Sequence, residues 1–279
     1  MGGERRRAGG GRIADGVVTG GAREIAPADL RGLRLGVPRG YFWESLDAEL
    51  HAILATVLER LRDAGAILVE GDVADVHALD AAAGFPIALY EFVPDLDRYL
   101  AGHVLGLDFA AVVAQVASPA VTRALAQLAG DGKVSEAAYR DALDRHRPAL
   151  QETYRSYFRD HGVAAMVFPT TPLPAAKIGD DDTVMLNGAP APTFGTFIRN
   201  LTPGSAAGLP GLSLPAGMTG AFSGEVDTGS PQKMRPLKKS SAGLPVGIAI
   251  DGPEQSDRRV LAIAAAIETI LPRLPPPAV

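Results

Sequence analysis

The chain has 279 residues, 47% of them hydrophobic and 21% charged, enough to bury a core as one large domain or two small ones. A net charge of −5 and a pI near 5.6 give no general attraction for nucleic acid or an anionic membrane, so neither is expected as a partner. The absence of cysteine excludes disulfides and thiolate metal sites, and Arg5–Arg7 lead into small residues rather than a signal-peptide core, so the cytoplasm is the expected compartment.

In chain order, Leu33 to Pro38 reads as a strand. A helix follows from about Ser45, its expected cap, to Ala64, with Gly65 placed to end it. Leu46, Leu50, Ile53, Leu54, Val57, Leu58 and Leu61 recur at three- and four-residue spacing and form its apolar stripe. Ile67 to Val69 closes a strand–helix–strand unit, which favours parallel strands. Residues 76–160 read as a largely helical layer punctuated by Pro86, Pro94, Pro119 and Gly130-Asp131-Gly132, with Ser135 opening one long segment. The apolar stretch Ala78 to Val93 contains Asp80, Pro86 and Glu91 and stops at Pro94, short of a membrane span. Ala164 to Phe168, Leu212 to Leu214 and Val246 to Ile250 read as further strands, and Asp257 to Ile270 as a terminal helix.

Residue patterns for independent chemistry are sparse. Gly211-Leu212-Ser213-Leu214-Pro215 begins like a nucleophile elbow, but proline replaces the last glycine, so Ser213 is expected to be structural. Gly204 to Gly208 is read as a turn packed against neighbouring strands. His51, His77, His103, His146 and His161 have no ligand spacing, and Asp180-Asp181-Asp182 is expected to be a solvated run; no metal is expected. No phosphate-binding glycine pattern occurs, so no cofactor is expected.

Three longer phrases carry a resemblance. They are Val167-Phe168-Pro169-Thr170-Thr171-Pro172-Leu173-Pro174-Ala175, then Arg199-Asn200-Leu201-Thr202-Pro203-Gly204 running on to Leu214-Pro215-Ala216-Gly217, and finally Gly243-Leu244-Pro245-Val246-Gly247-Ile248-Ala249-Ile250-Asp251-Gly252-Pro253. In this order they resemble the C-terminal portion of amidase-signature hydrolases, most closely the indoleacetamide and mandelamide hydrolase branch. The resemblance implies a partial amidase-signature fold of α/β class, with a mixed β-sheet core flanked by helices. It runs from Arg12 to Ile270 and implies an amidase domain over residues 12–271, a disordered extension at 1–11 and a disordered tail at 272–279. Residues 220–242, polar and glycine-rich, intrude between two family blocks and are expected to form a flexible insert; a lineage-specific loop and a gene-model error explain them equally well.

The family cleaves amides with a serine nucleophile, a second serine in a cis peptide and a neutral lysine, all carried N-terminal to the phrases found here. No catalytic residue is therefore assigned, and Ser240-Ser241, beside Lys238-Lys239 in the insert, is read as loop. The resemblance puts the loop Thr170-Thr171-Pro172 near the entrance to the catalytic cleft and makes Thr171, Phe194, Phe197, Arg199 and Asn200 substrate-pocket candidates, with the phenylalanines offered to an aryl or indole group. The competing reading has those rings filling the core and Asn200 bonding to backbone. The implied activity is hydrolysis of the carbon–nitrogen bond of small aryl- or indole-acetamide-like amides, absent from this chain alone. A non-catalytic binding or partner protein of the same fold is the alternative. Implied partners are a small amide once complemented, an N-terminal amidase half, or a second copy.

Overall fold

A computed structural model of the chain describes residues 25–274, apart from 104–105, 127, 129–132 and 221–242. The extension at 1–11, the glycines at 130 and 132, Ser240-Ser241, nearly all of the insert and residues 275–279 of the tail lie outside the described residues.

The first unit forms as its pattern dictates. Strand β1 (Arg34–Val37) and strand β2 (Ile67–Glu70) pair in parallel, joined through helix α1 (Ala48–Asp63). Helix α1 buries Leu50, Leu54, Val57, Leu58 and Leu61, and Gly65 follows it at φ +89°, where a side chain would be strained. The cap is not Ser45. Asp47 takes that role, its carboxylate accepting the amides of Glu49 and Leu50 at 3.0 Å, while Ser45 sits in a left-handed conformation at φ 48°.

The helical layer starts with α2 (Val76–His103), which runs straight through Pro86 and Pro94 instead of stopping at them. Each proline removes one amide donor, and the carbonyls thereby released, Ala82 and Tyr90, sit at only half-buried positions within reach of water. Helix α2 is long and apolar enough, at a mean hydropathy of 1.2, to cross a membrane, yet it carries Asp80, Glu91, Asp95, Asp97 and Arg98 and packs on other helices. Short helices α3 (Phe109–Val113), α4 (Pro119–Ala126) and α5 (Glu136–Asp141) follow; Ser135 caps α5 by accepting the Ala138 amide at 3.2 Å. A π-helical turn at Ala142–His146 joins α5 to α6 (Arg147–His161). Its closing bond runs from the Arg147 amide to the Ala142 carbonyl, and Pro148, which cannot donate to the ladder, follows in the first turn of α6.

Strand β3 (Ala165–Pro169) is buried along its whole length. Next come a hairpin of β4 (Thr183–Leu186) and β5 (Ala189–Pro192), then α7 (Thr193–Ile198) and α8 (Thr202–Ala207). The segment read as a turn from Gly204 to Gly208 is therefore mostly helix: Pro203 opens it and Gly208, at φ 80°, closes it. Strands β6 (Gly211–Met218) and β7 (Pro245–Asp251) and helix α9 (Asp257–Ile270) complete the chain, α9 with the boundaries its sequence predicts.

The main sheet has the order β2-β1-β3-β7-β6, with β1, β2 and β3 parallel and β7 antiparallel to both neighbours. This is the mixed sheet expected of the α/β class. Helices flank it: α1 places Ile53 close to Gly217, α6 lays Tyr157 over Gly36, and α8 sets Gly204 beside Asp251. Leu35, Val37, Met166, Phe168, Ile248, Ile250, Leu54 and Ile263 are among the residues that form one continuous core. Among the described residues, nothing pairs with the outer edge of β6.

Candidate functional site

The chain leaves β3 at Pro169 and turns through Thr170 and Thr171. A buried asparagine pins this exit: Asn200, fully enclosed, donates from Nδ2 to the Pro169 carbonyl at 2.7 Å and to the Phe42 carbonyl at 2.9 Å. Its Oδ1 accepts from Arg199 Nε at 3.1 Å, and Arg199 Nη2 donates to the Glu44 carbonyl at 2.8 Å. Burial lowers the Arg199 pKa from its ordinary value, with the Tyr41 and Glu44 side chains opposing that shift. Tyr41, held at φ 52°, donates its hydroxyl to the Arg199 carbonyl at 2.9 Å and stacks on His77 with ring centroids 5.3 Å apart. Burial raises its pKa to about 12. Arg199 and Asn200 thus form a clasp on backbone, with their hydrogen bonds directed inward.

Beyond the clasp lies a hollow of about 280 Å³, bounded by Thr170, Thr171, Ser213, Pro215, Pro245 and Gly247 among others, none of its lining residues charged. Thr171 turns its hydroxyl to the Leu173 carbonyl at 2.8 Å. Thr170 and Ser213 share a hydrogen bond of 2.6 Å between their hydroxyls. Gly247 makes room for it, since a Cβ there would stand 2.7 Å from both hydroxyl oxygens. The Thr170 amide donates to the Gly247 carbonyl at 3.1 Å, fixing the loop to β7.

Of the five residues singled out from sequence, only Thr171 lines this hollow. Phe194 is 61% exposed and meets Phe85 of α2 edge-on, with centroids 6.3 Å apart; Phe197 is half-buried on the same short helix. Thr170 also lines it, in the Thr-Thr-Pro loop that the resemblance puts at the cleft entrance, whereas Ser213 was read as structural. Strand alternation offered a signal, because Gly211, Ser213 and Pro215 share one face of β6.

Two carboxyl groups are drawn into the packing, Asp80 buried and Asp251 half-buried. Asp80 of α2 accepts the Thr202 hydroxyl at 2.6 Å, while its other oxygen is buried without a partner; burial raises its pKa, opposed by Thr202 and His77. Asp251 stands against Gly204 and Gly211, and burial lifts its pKa to about 7. Neither joins a cluster suited to a metal: among the described residues no group of three or more potential ligands occurs.

Residues 18–261 match the family described as Amidase. Over 257 residues the chain is 40% identical to an indoleacetamide hydrolase of Agrobacterium vitis, covering 92% of this chain and 50% of that protein. It is 31% identical over 274 residues to a mandelamide hydrolase of Pseudomonas putida, covering 95% and 48%. A solved structure titled as an amidase aligns with 89% of this chain and 48% of its own, at 26% identity and a TM-score of 0.60. The chain spans about half the length of the curated relatives it matches.

Proposed function

The chain belongs to the amidase family, and from that premise we propose that it is the C-terminal portion of an amidase-signature hydrolase. The proposed reaction, in the cytoplasm, opens the carbon–nitrogen bond of small aryl- or indole-acetamide-like amides. The observation that carries this reading is the 40% identity to an indoleacetamide hydrolase across 92% of the chain. A mandelamide hydrolase at 31% identity supports the same breadth of aryl substrate.

In this reading the attacking serine and its lysine base come from a complementary chain, and this chain turns over nothing by itself. Amide hydrolysis needs an activated hydroxyl to add to the carbonyl carbon and donors to hold the developing oxyanion, before the amine leaves and water releases the acid. This chain supplies the opposite wall. The Asn200–Arg199 clasp holds the end of β3, and that in turn fixes the Thr170–Thr171 loop at the hollow. Phe194 and Phe85 form an exposed aromatic pair, suited to an aryl or indole ring.

The test is hydrolysis of indole-3-acetamide, mandelamide and phenylacetamide by the purified chain, alone and mixed with an N-terminal amidase half bearing the serines and lysine. Turnover only in the mixture is the expected result. Turnover by the chain alone would overturn its dependence on a partner, and silence in both would favour a binding protein of the same fold.

A further inference from the structure

A second cavity, of about 450 Å³, opens at the other end of β3, where the strand begins. The five residues of β3 place it on the order of 15 Å from the Thr170 loop, so it is no part of the hollow described above. Three elements meet there. Helix α6 ends on Gly162, left-handed at φ 59°, β1 starts at Arg34, and α9 brings Arg259 in its first turn. Guanidinium groups of Arg34, Arg159 and Arg259 line the cavity and no carboxylate does, in a chain whose net charge is −5. The three differ in what they have left to give. Arg159 is engaged, with Nε and Nη2 donating to Asp160 and Nη1 3.7 Å from Glu152. Arg34 donates from Nε to the Gly162 carbonyl at 3.1 Å and from Nη2 to the His161 carbonyl at 2.8 Å. Those bonds fix its plane at the end of α6 and leave Nη1 without a partner among the described residues. The Arg259 guanidinium, among the described residues, bonds to nothing.

We propose that this cavity binds a phosphate group, free or carried by a small molecule, between Arg34 and Arg259. A guanidinium stays charged at any working pH and presents paired N–H donors that match phosphate oxygens. The backbone adds nothing, because the Gly162 and Val163 amides already donate to the Arg159 and Phe158 carbonyls, so recognition falls to the side chains. A dianion matches the two cations that lack a carboxylate partner, whereas a monocarboxylate would match only one. The cavity is open, so a bound phosphate keeps water on its outer face and its affinity must fall with added salt. The site is independent of the amide-hydrolase reading.

The experiment is a titration of the isotopically labelled full chain with inorganic phosphate, phenyl phosphate and phenylacetate in turn, at constant ionic strength set with sodium chloride and followed through backbone amide resonances. Inorganic phosphate is expected to shift the Leu33, Gly162 and Val163 signals and saturate, with phenylacetate at least ~5-fold weaker. Arg259→Ala, at an exposed position that leaves the fold intact, should weaken phosphate binding ~10-fold. Arg159→Ala, which removes a cation already engaged by Asp160, should weaken it at most ~2-fold. Tighter binding of phenyl phosphate than of inorganic phosphate would support a phosphate carried by a small molecule, and equal binding would support the free ion. Shifts that fail to saturate, or that sodium chloride alone reproduces, would mean an adventitious ion only and overturn the site. Phenylacetate binding as tightly as phosphate, unchanged affinity in Arg259→Ala, or an equal loss in Arg159→Ala would also overturn it. None of these readouts involves turnover, so they stand or fall apart from the hydrolase reading.

Discussion

Asn200 ties three separate stretches of chain together through one buried side chain. Its Nδ2 serves two carbonyls from distant segments, and replacing it by alanine would strand both Phe42 and Pro169 carbonyls in the interior. Each stranded group costs about 1–3 kcal/mol, so Asn200→Ala should lower stability by roughly 2–6 kcal/mol, read as a drop in the urea midpoint at unchanged slope. A loss below about 1 kcal/mol would show that water reaches those carbonyls. Asp251 makes a different kind of prediction. Its pKa is raised from 3.8 to about 7, so between those values the folded chain holds a proton that the unfolded chain has released. Stability contributed through this group is therefore full below pH ~4 and declines as pH rises toward about 7. Asp251→Asn, neutral at every pH, should remove that decline, and the test is the difference between the two chains' stability profiles over this window. Parallel profiles would mean that the carboxylate is solvated. Asp80 titrates in the same direction on the neighbouring helical layer, and for this reason the comparison is made against the Asp251 variant and not against a theoretical curve.

At the scale of elements, the β4–β5 hairpin tests how far local chemistry acts alone. Asn187 and Gly188, at φ 51° and 81°, form the two-residue turn that joins its strands, and a Cβ at Gly188 would touch nothing within 4 Å. Gly188→Ala should thus cost only backbone strain, about 1 kcal/mol, seen as ~5-fold faster amide exchange across residues 183–192 with the main sheet unaffected. Slowed exchange, or a loss felt throughout the sheet, would contradict that local account. The Asn-Gly pair was a hairpin signal legible in the sequence, but residues 183–192 carry mixed polarity and two prolines, so no strand pattern called attention to it. Periodicity was sufficient where burial is one-sided and continuous: α1, the β1–β2 pairing and the bounds of α9 all follow from it. It was insufficient where tertiary support overrides a local rule, as at Pro86 and Pro94 inside α2, and where a helix has barely one and a half turns, as at α8. The hollow was the least legible feature. Thr170 and Ser213 are 43 positions apart and meet only because β6 and β3 both register on β7, which is a property of the sheet.

At the scale of the whole molecule, the sheet ends, among the described residues, on strand β6. β6 spans eight residues and, among those described, presents an outer edge with no partner, with Gly211, Ser213 and Pro215 exposed on it. The opposite edge, β2, spans only four residues and carries Glu70 paired to Arg39, so the two edges are unequal in their readiness to accept another chain. Pro215 and the register shift between Pro215 and Gly217 interrupt β6, but the stretch before them, without lysine or glutamate, is a template for strand addition, whether by a second copy or by a complementary chain. The purified chain should therefore associate as its concentration rises, visible in light scattering, and should melt at a modest temperature. Adding a complementary amidase half should compete for the same edge, and by mass action a partner at 100 times its Kd adds about 2.7 kcal/mol, or roughly 5–10 °C in Tm for a chain of this size. A monodisperse chain with a high, cooperative melt that no added half displaces would show that β6 is a finished edge. The fold would then be self-sufficient, and the binding-protein alternative would gain at the hydrolase's expense.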